Sequence, residues 1–178
     1  MKNHTKILLT ALLCTLGLMA FTFTNKEDEK VAAGPEQWKD YRSWYKVTKV
    51  PNTGDPTGFL SKKHRGTKAF REIYMNSVGV SVNKGEADFP YPEGTVVVKE
   101  AYKNQADHDA QVKPELTVMV KLAPGTSPTT NDWMFYMGGD GKLSGTGMTT
   151  KWGKFCGSCH VNAVATDYTF MTSKFEGN

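Results

Sequence analysis

Apolar and polar residues alternate along the middle of this chain, and the alternation predicts strands. From 69 to 76, Phe70, Glu72, Tyr74 and Asn76 fall on one face, and Arg71, Ile73 and Met75 on the other. From 116 to 122, Leu116, Val118, Val120 and Leu122 share a side, while 133–137 is aromatic and apolar on both faces. The stretch 94–102 carries Val97, Lys99 and Ala101 on one face and Val96, Val98 and Glu100 on the other. Apolar residues on both faces predict a central strand. Lys99 and Glu100 then either sit near its end or are held inside for a purpose. By pattern alone, a lysine at a strand end reads as a solvated residue.

Ahead of these strands, Pro35 occupies a first helical position. Trp38, Tyr41 and Tyr45 recur at i, i+3 and i+7 with Lys39, Asp40 and Arg42 between them. The spacing predicts one amphipathic helix of about three turns with an aromatic core face. Residues 50–66 hold Pro51, Gly54, Pro56, Gly58 and Gly66, which reads as a long loop. There is no repeat and no low-complexity tract. Strands that do not alternate with helices predict an α+β domain, built mainly on an antiparallel sheet. An N-terminal helix precedes the sheet, and a short C-terminal helix carries 156–161.

The first 24 residues differ from the rest. Lys2, His4 and Lys6 precede an almost wholly apolar run from Ile7 to Phe23, and 25–30 turns sharply polar. This is the pattern of an export signal. The run is also at the lower limit of about 17 residues for spanning a bilayer, so an uncut anchor is the alternative. Cys14 follows Leu12-Leu13, a poor lipoprotein box. The reading divides the chain into a signal peptide or N-terminal membrane anchor at 1–24, a spacer at 25–34 and one domain at 35–178. It places the domain in the periplasm, with membrane contact only through that segment. Without the leader, 20 basic face 18 acidic side chains, and the formal charge of +4 falls to +2. That balance is no footprint for nucleic acid.

The candidate chemistry lies near the C-terminus, in Cys156-Gly157-Ser158-Cys159-His160. Two thiols two residues apart, followed at once by histidine, form the attachment motif of a c-type haem. The cysteines would bond to the porphyrin edge, and His160 would be the proximal iron ligand. A zinc half-site would need further ligands, and no second C-x-x-C or H-x-H group exists in the sequence. A redox dithiol would be expected beside a βαβ pattern and would not need the histidine. One covalently attached haem c is therefore the expected cofactor. With 18 residues after His160, the sheet is expected to cover the far side of the haem.

These features, taken in order, resemble the cytochrome P-460 family, which also contains the beta-type cytochromes c-prime. The resemblance covers roughly 36–172. It rests on Phe89-Pro90 leading to Gly94-Thr95-Val96-Val97-Val98-Lys99-Glu100, on Arg71 and Tyr74 with Asn76 beyond, and on Asp132-Trp133-Met134-Phe135-Tyr136. The haem motif followed by Ala165-Thr166-Asp167-Tyr168-Thr169-Phe170 completes it. The resemblance implies a mostly antiparallel homodimer with a five-coordinate haem c open on its distal face. It implies that Lys99 is cross-linked to the porphyrin, and that Arg71 lies near the haem. A cross-link would also remove the need to bury a free ammonium ion.

Three functions follow as expectations. One is oxidation of hydroxylamine, with nitric oxide as a possible further substrate, and electrons passing to an external acceptor such as another cytochrome. Another is binding of nitric oxide or carbon monoxide behind an apolar wall supplied from Phe70, Phe89, Trp133 and Phe135. The third is plain electron transfer, with a sixth ligand drawn from Met75, Met119, Met134, Met137, His64 or His108. An enzyme would also need a polar or acidic distal group. Thr117 and Met119, on the strand expected there, look too apolar for it.

Overall fold

The alternating stretches pair into one antiparallel sheet, in a computed structural model that describes residues 33–49, 52–53 and 70–170. The leader, nearly all of the spacer, most of 50–66 and the last residues lie outside the described residues. Among the described residues the strands are β1 (Tyr45–Lys46), β2 (Asn52–Thr53), β3 (Phe70–Met75), β4 (Val96–Tyr102), β5 (Glu115–Lys121), β6 (Trp133–Met137) and β7 (Leu143–Thr146). Their order is β1-β3-β4-β5-β6-β7, with β2 also on β3. Among the described residues three α-helices accompany them: α1 (Val80–Asn83), α2 (Gln105–Asp109) and α3 (Lys151–His160). The expected α+β class holds, and none of these helices is long and apolar enough to cross a membrane.

The four expected strands form within a residue or two of their predicted bounds. Three short strands were not legible. β7 reads Leu-Ser-Gly-Thr, with neither β-branched pairs nor a clean alternation. The N-terminal aromatic stripe does not form a three-turn helix. Two 3₁₀ turns form instead, Pro35–Trp38 and Tyr41–Ser43, and Trp44 is already extended. Tertiary bonds outweigh the helical pattern here. Trp38 Nε1 donates to the Gly139 carbonyl at 2.8 Å, and the Tyr41 hydroxyl donates to Glu100. Trp38 and Tyr41 join one side of the sheet, whereas Tyr45 packs on the other.

β4 lies between β3 and β5, and its two faces close two cores. On one face Ile73, Met75, Val97, Trp133 and Phe135 pack with Val47, Val82, Tyr91 and Tyr168. On the other, Tyr74, Val96, Val98, Val118, Val120 and Tyr136 pack under Trp38 and Tyr41. Burying each of these large apolar side chains contributes about 1.5–3 kcal/mol.

The second face also holds two buried carboxylates. Glu100, fully buried, accepts from Tyr41, from Arg42 Nε at 2.7 Å and from the Tyr102 hydroxyl at 2.7 Å. Glu72 accepts from Lys46, from the Tyr74 hydroxyl at 2.7 Å and from His108 Nε2 at 3.0 Å. Burial, helped by these carboxylates, pushes the three phenols up, Tyr41 to about 12, so they remain donors. A buried carboxylate is tolerated when its lone pairs are so occupied. Glu100 is thus held inside for structure.

Burial opposes ionisation of Glu72, but the bonds from Lys46, Tyr74 and His108 win and hold its carboxyl below the ordinary 4.5. The bond to Glu72 in turn raises His108 above 6.5, against its desolvation. The depressed carboxylate contributes stability above pH 4.5 and loses it as pH falls through its folded value. The raised imidazole contributes fully below pH 6.5 and loses it as pH rises through its own folded value. The pair is therefore predicted to stabilise most between pH 4.5 and 6.5. Urea unfolding of the haem-loaded protein and its His108→Gln variant checks this. The difference between them should peak in that window and shrink towards pH 9, whereas a flat difference contradicts the pairing.

Candidate functional site

Helix α3 brings the thiols and His160 to the first face of the sheet. The Thr150 side chain caps its start, accepting from Gly153 N at 3.1 Å. Its backbone then crosses β7 almost in contact. A methyl group at Gly153 would sit 2.0 Å from the Gly147 carbonyl oxygen and 2.6 Å from that of Thr146. One at Gly145 would meet Gly153 N at 2.7 Å. Only glycine fits on either side of the crossing. The spacing i, i+3, i+4 puts Cys156, Cys159 and His160 on one helix face. Cys156 packs against the core of the sheet.

His160 is fixed by its surroundings. Its Nδ1 lies 2.6 Å from the Tyr168 carbonyl oxygen, and its ring lies between those of Phe135 and Phe170, with centroids at 5.2 and 5.3 Å. A carbonyl can only accept, so Nδ1 carries the proton and the lone pair of the neutral ring is on Nε2. A metal-ligating histidine is usually oriented in this way. Cys156 and Cys159 are free thiols. Burial pushes the Cys156 thiol up to about 11. A reactive dithiol needs its thiolate favoured, so this environment argues against the redox reading. Among the described residues, no three or more His, Cys, Asp or Glu side chains group as a metal site.

The sheet register gathers the other candidates. Across the face, Ile73, Lys99, Thr117, Met137 and Leu143 form one transverse row. The next row on one side is Arg71, Ala101 and Glu115; on the other side it is Met75, Val97, Met119, Phe135 and Gly145. Arg71 and Glu115 are thus diagonal neighbours of Lys99 from opposite strands, within reach of long side chains. Lys99 is partly buried and Arg71 nearly fully buried, at 6% exposure. Burial first, and the Arg71 charge second, bring the Lys99 ammonium down to about 8, while Cys156 and Glu115 act the other way. Lys99 in turn favours the Cys156 thiolate against its burial. Lys99 and Arg71 thus stand on the face against which Cys156 packs, and the charges of the three act on one another. Glu115 joins them, and sequence reading missed it. Its only signal was its position two residues before Thr117, on the same face.

Other candidates separate. Phe70, Met134 and His108 lie on the far face, and His108 is engaged by Glu72. Met75 is fully buried in the core, and Phe89 is exposed, edge-on to Tyr91. His64 lies outside the described residues. Of the proposed wall and ligand residues, Trp133, Phe135, Met119 and Met137 share the α3 face.

The residues present fit a haem: two free thiols and an oriented imidazole on one helix face, against an apolar sheet face that also carries Lys99. If the glycine crossing sets this geometry, Gly153→Ala is predicted to destabilise the haem-loaded protein by about 3 kcal/mol, since a backbone carbonyl cannot yield like a side chain. Urea unfolding measures it, and a loss below about 1 kcal/mol would mean that α3 is not held by this contact.

A sequence model of the family described as Cytochrome P460 matches residues 38–171, most of the chain. No curated protein matches it.

Proposed function

From the premise that the chain belongs to the cytochrome P460 family, and is therefore a haem cytochrome, we propose that it oxidises hydroxylamine and passes the electrons to an external acceptor. The observation that carries this reading is geometric: Lys99 and Arg71 stand on the sheet face against which Cys156 packs, with His160 on the same helix face as the two thiols. In this reading Cys156 and Cys159 would hold one haem c covalently and His160 Nε2 would bind its iron. When bound, the haem would supply a redox-active iron.

The remaining roles belong to side chains. With its ammonium brought down to about 8, Lys99 holds a fraction of neutral amine at mildly alkaline pH, the form able to bond to carbon. A link from this amine to a carbon of a porphyrin held by those thiols would replace a C–H bond, release two protons and need a two-electron oxidant such as a peroxide. The place of Lys99 on the face against which Cys156 packs supports that link. Arg71 keeps that amine from full protonation and offers positive charge beside the reacting centre. Oxidising hydroxylamine releases protons together with electrons, so a proton acceptor is needed. Glu115, exposed and diagonal to Lys99, is a carboxylate that this face offers. Thr117, directly opposite Lys99, adds a hydroxyl. Export to the periplasm and assembly as a homodimer belong to the same proposal.

One observation favours a second reading. The row Val97, Met119 and Phe135 beside Lys99 is apolar and would suit nitric oxide or carbon monoxide better than a charged ligand. In that case the protein binds these gases without turnover.

Two variants separate the readings. Lys99→Leu is predicted to keep the fold and give an ordinary haem c absorption spectrum, where the parent shows a Soret band displaced strongly to the red on reduction. A displaced band that survives the substitution would overturn the link. Glu115→Gln is predicted to lower hydroxylamine-dependent reduction of an artificial acceptor by about 10²- to 10⁴-fold, the usual worth of a positioned proton acceptor. Unchanged turnover would remove Glu115 from that role, and no turnover in the parent would leave the gas-binding reading.

A further inference from the structure

The segment after the haem motif is held by a buried ion pair that the proposed chemistry does not use. Lys121, at the end of β5, and Asp167 are 46 residues apart and only 5% and 3% exposed. Lys121 Nζ lies 2.9 and 2.8 Å from the two Asp167 carboxylate oxygens and donates also to the Asn131 carbonyl at 2.6 Å. The Asp167 carboxylate accepts further from Asn131 Nδ2 at 2.5 Å and from Tyr91 N at 2.8 Å. Its backbone carbonyl accepts from Trp133 Nε1 at 2.8 Å. Both strands of support, β5 and β6, thus converge on this one residue.

What they hold is an uncommon backbone. Asp167 and Tyr168 are consecutive left-handed residues, with φ of 50° and 62°. Two such residues in succession cost free energy, more for a bulky tyrosine, and persist where the surroundings over-determine them. The result is specific: the Tyr168 carbonyl is turned back onto His160 Nδ1, at 2.6 Å, across the 3₁₀ segment Val161–Thr166.

We propose that Lys121 and Asp167 are positioning residues for His160. Their ion pair locks the left-handed turn, the turn aims the Tyr168 carbonyl, and the carbonyl fixes the plane and raises the basicity of the imidazole. An imidazole whose Nδ1–H is strongly held donates more electron density from Nε2. The pair therefore tunes the iron that Nε2 would bind, although neither residue touches it. This inference rests on the reading of His160 as the iron ligand.

The test is the iron–histidine stretching band of the reduced, haem-loaded protein by resonance Raman, with the midpoint potential of the iron. In Asp167→Asn the band is expected to move to lower frequency. The potential should rise by about 59 mV, equal to a tenfold loss of preference for the ferric state. Lys121→Arg keeps the charge and is expected to retain the parent band. Should Asp167→Asn fail to fold, Asn131→Gly removes one bond to the carboxylate and leaves the ion pair. It is then expected to shift band and potential in the same direction by less. A folded Asp167→Asn or Asn131→Gly protein with unmoved band and potential overturns the proposal. A haem-loaded His160→Ala protein with the parent's absorption spectrum and potential overturns instead the ligand reading of His160, and the proposal with it.

Discussion

Helix α3 can lie on β7 only because no side chain stands between them. At Gly153 the space left by a missing Cβ is filled by the backbone oxygens of Thr146 and Gly147, and Gly145 answers from the strand. Everything at the site descends from this contact. It sets the depth at which Cys156 enters the core and the face on which His160 emerges. It also sets the place where the chain must turn back for Tyr168 to reach the imidazole. A wider crossing would keep the sheet and still lose the site.

The central strand β4 divides the chemistry in two. Successive residues, Lys99 and Glu100, point to opposite faces and meet opposite treatment. Glu100 is surrounded by donors, two phenols and a guanidinium, and needs nothing further to remain a buried anion. Lys99 meets the charge of Arg71 and a desolvating wall, and its ammonium is disfavoured. The same backbone thus places a buried carboxylate network behind the sheet and an amine with a lowered pKa in front of it. The buried carboxylate network gives β3 and β4 a fixed register, and the register aligns Arg71, Lys99 and Glu115.

Much of this was legible in the sequence, for reasons that particular residues make plain. Strands such as Val96–Tyr102 announce themselves because a period of two survives whatever packs above it. Cys156, Cys159 and His160 are legible because they stand together in the chain, where spacing alone puts them on one helix face. The stripe Trp38, Tyr41 and Tyr45 misled because its three rings serve two different cores, each drawn by a distant partner. Lys99 read as solvated from its pattern, and only resemblance lifted it. Glu115 and the Lys121–Asp167 pair were not legible at all. Their meaning depends on register and on contacts between distant segments, which composition and spacing do not encode.

The account turns on one claim, that Lys99 and the Cys156-Cys159-His160 segment meet at a single haem. Mass spectrometry of the protease-digested, haem-loaded protein tests it directly. The predicted result is one species in which the peptide containing Lys99 and the peptide containing Cys156 and Cys159 are joined through the same haem. Haem found on the cysteine peptide alone, with the Lys99 peptide recovered unmodified, would contradict it.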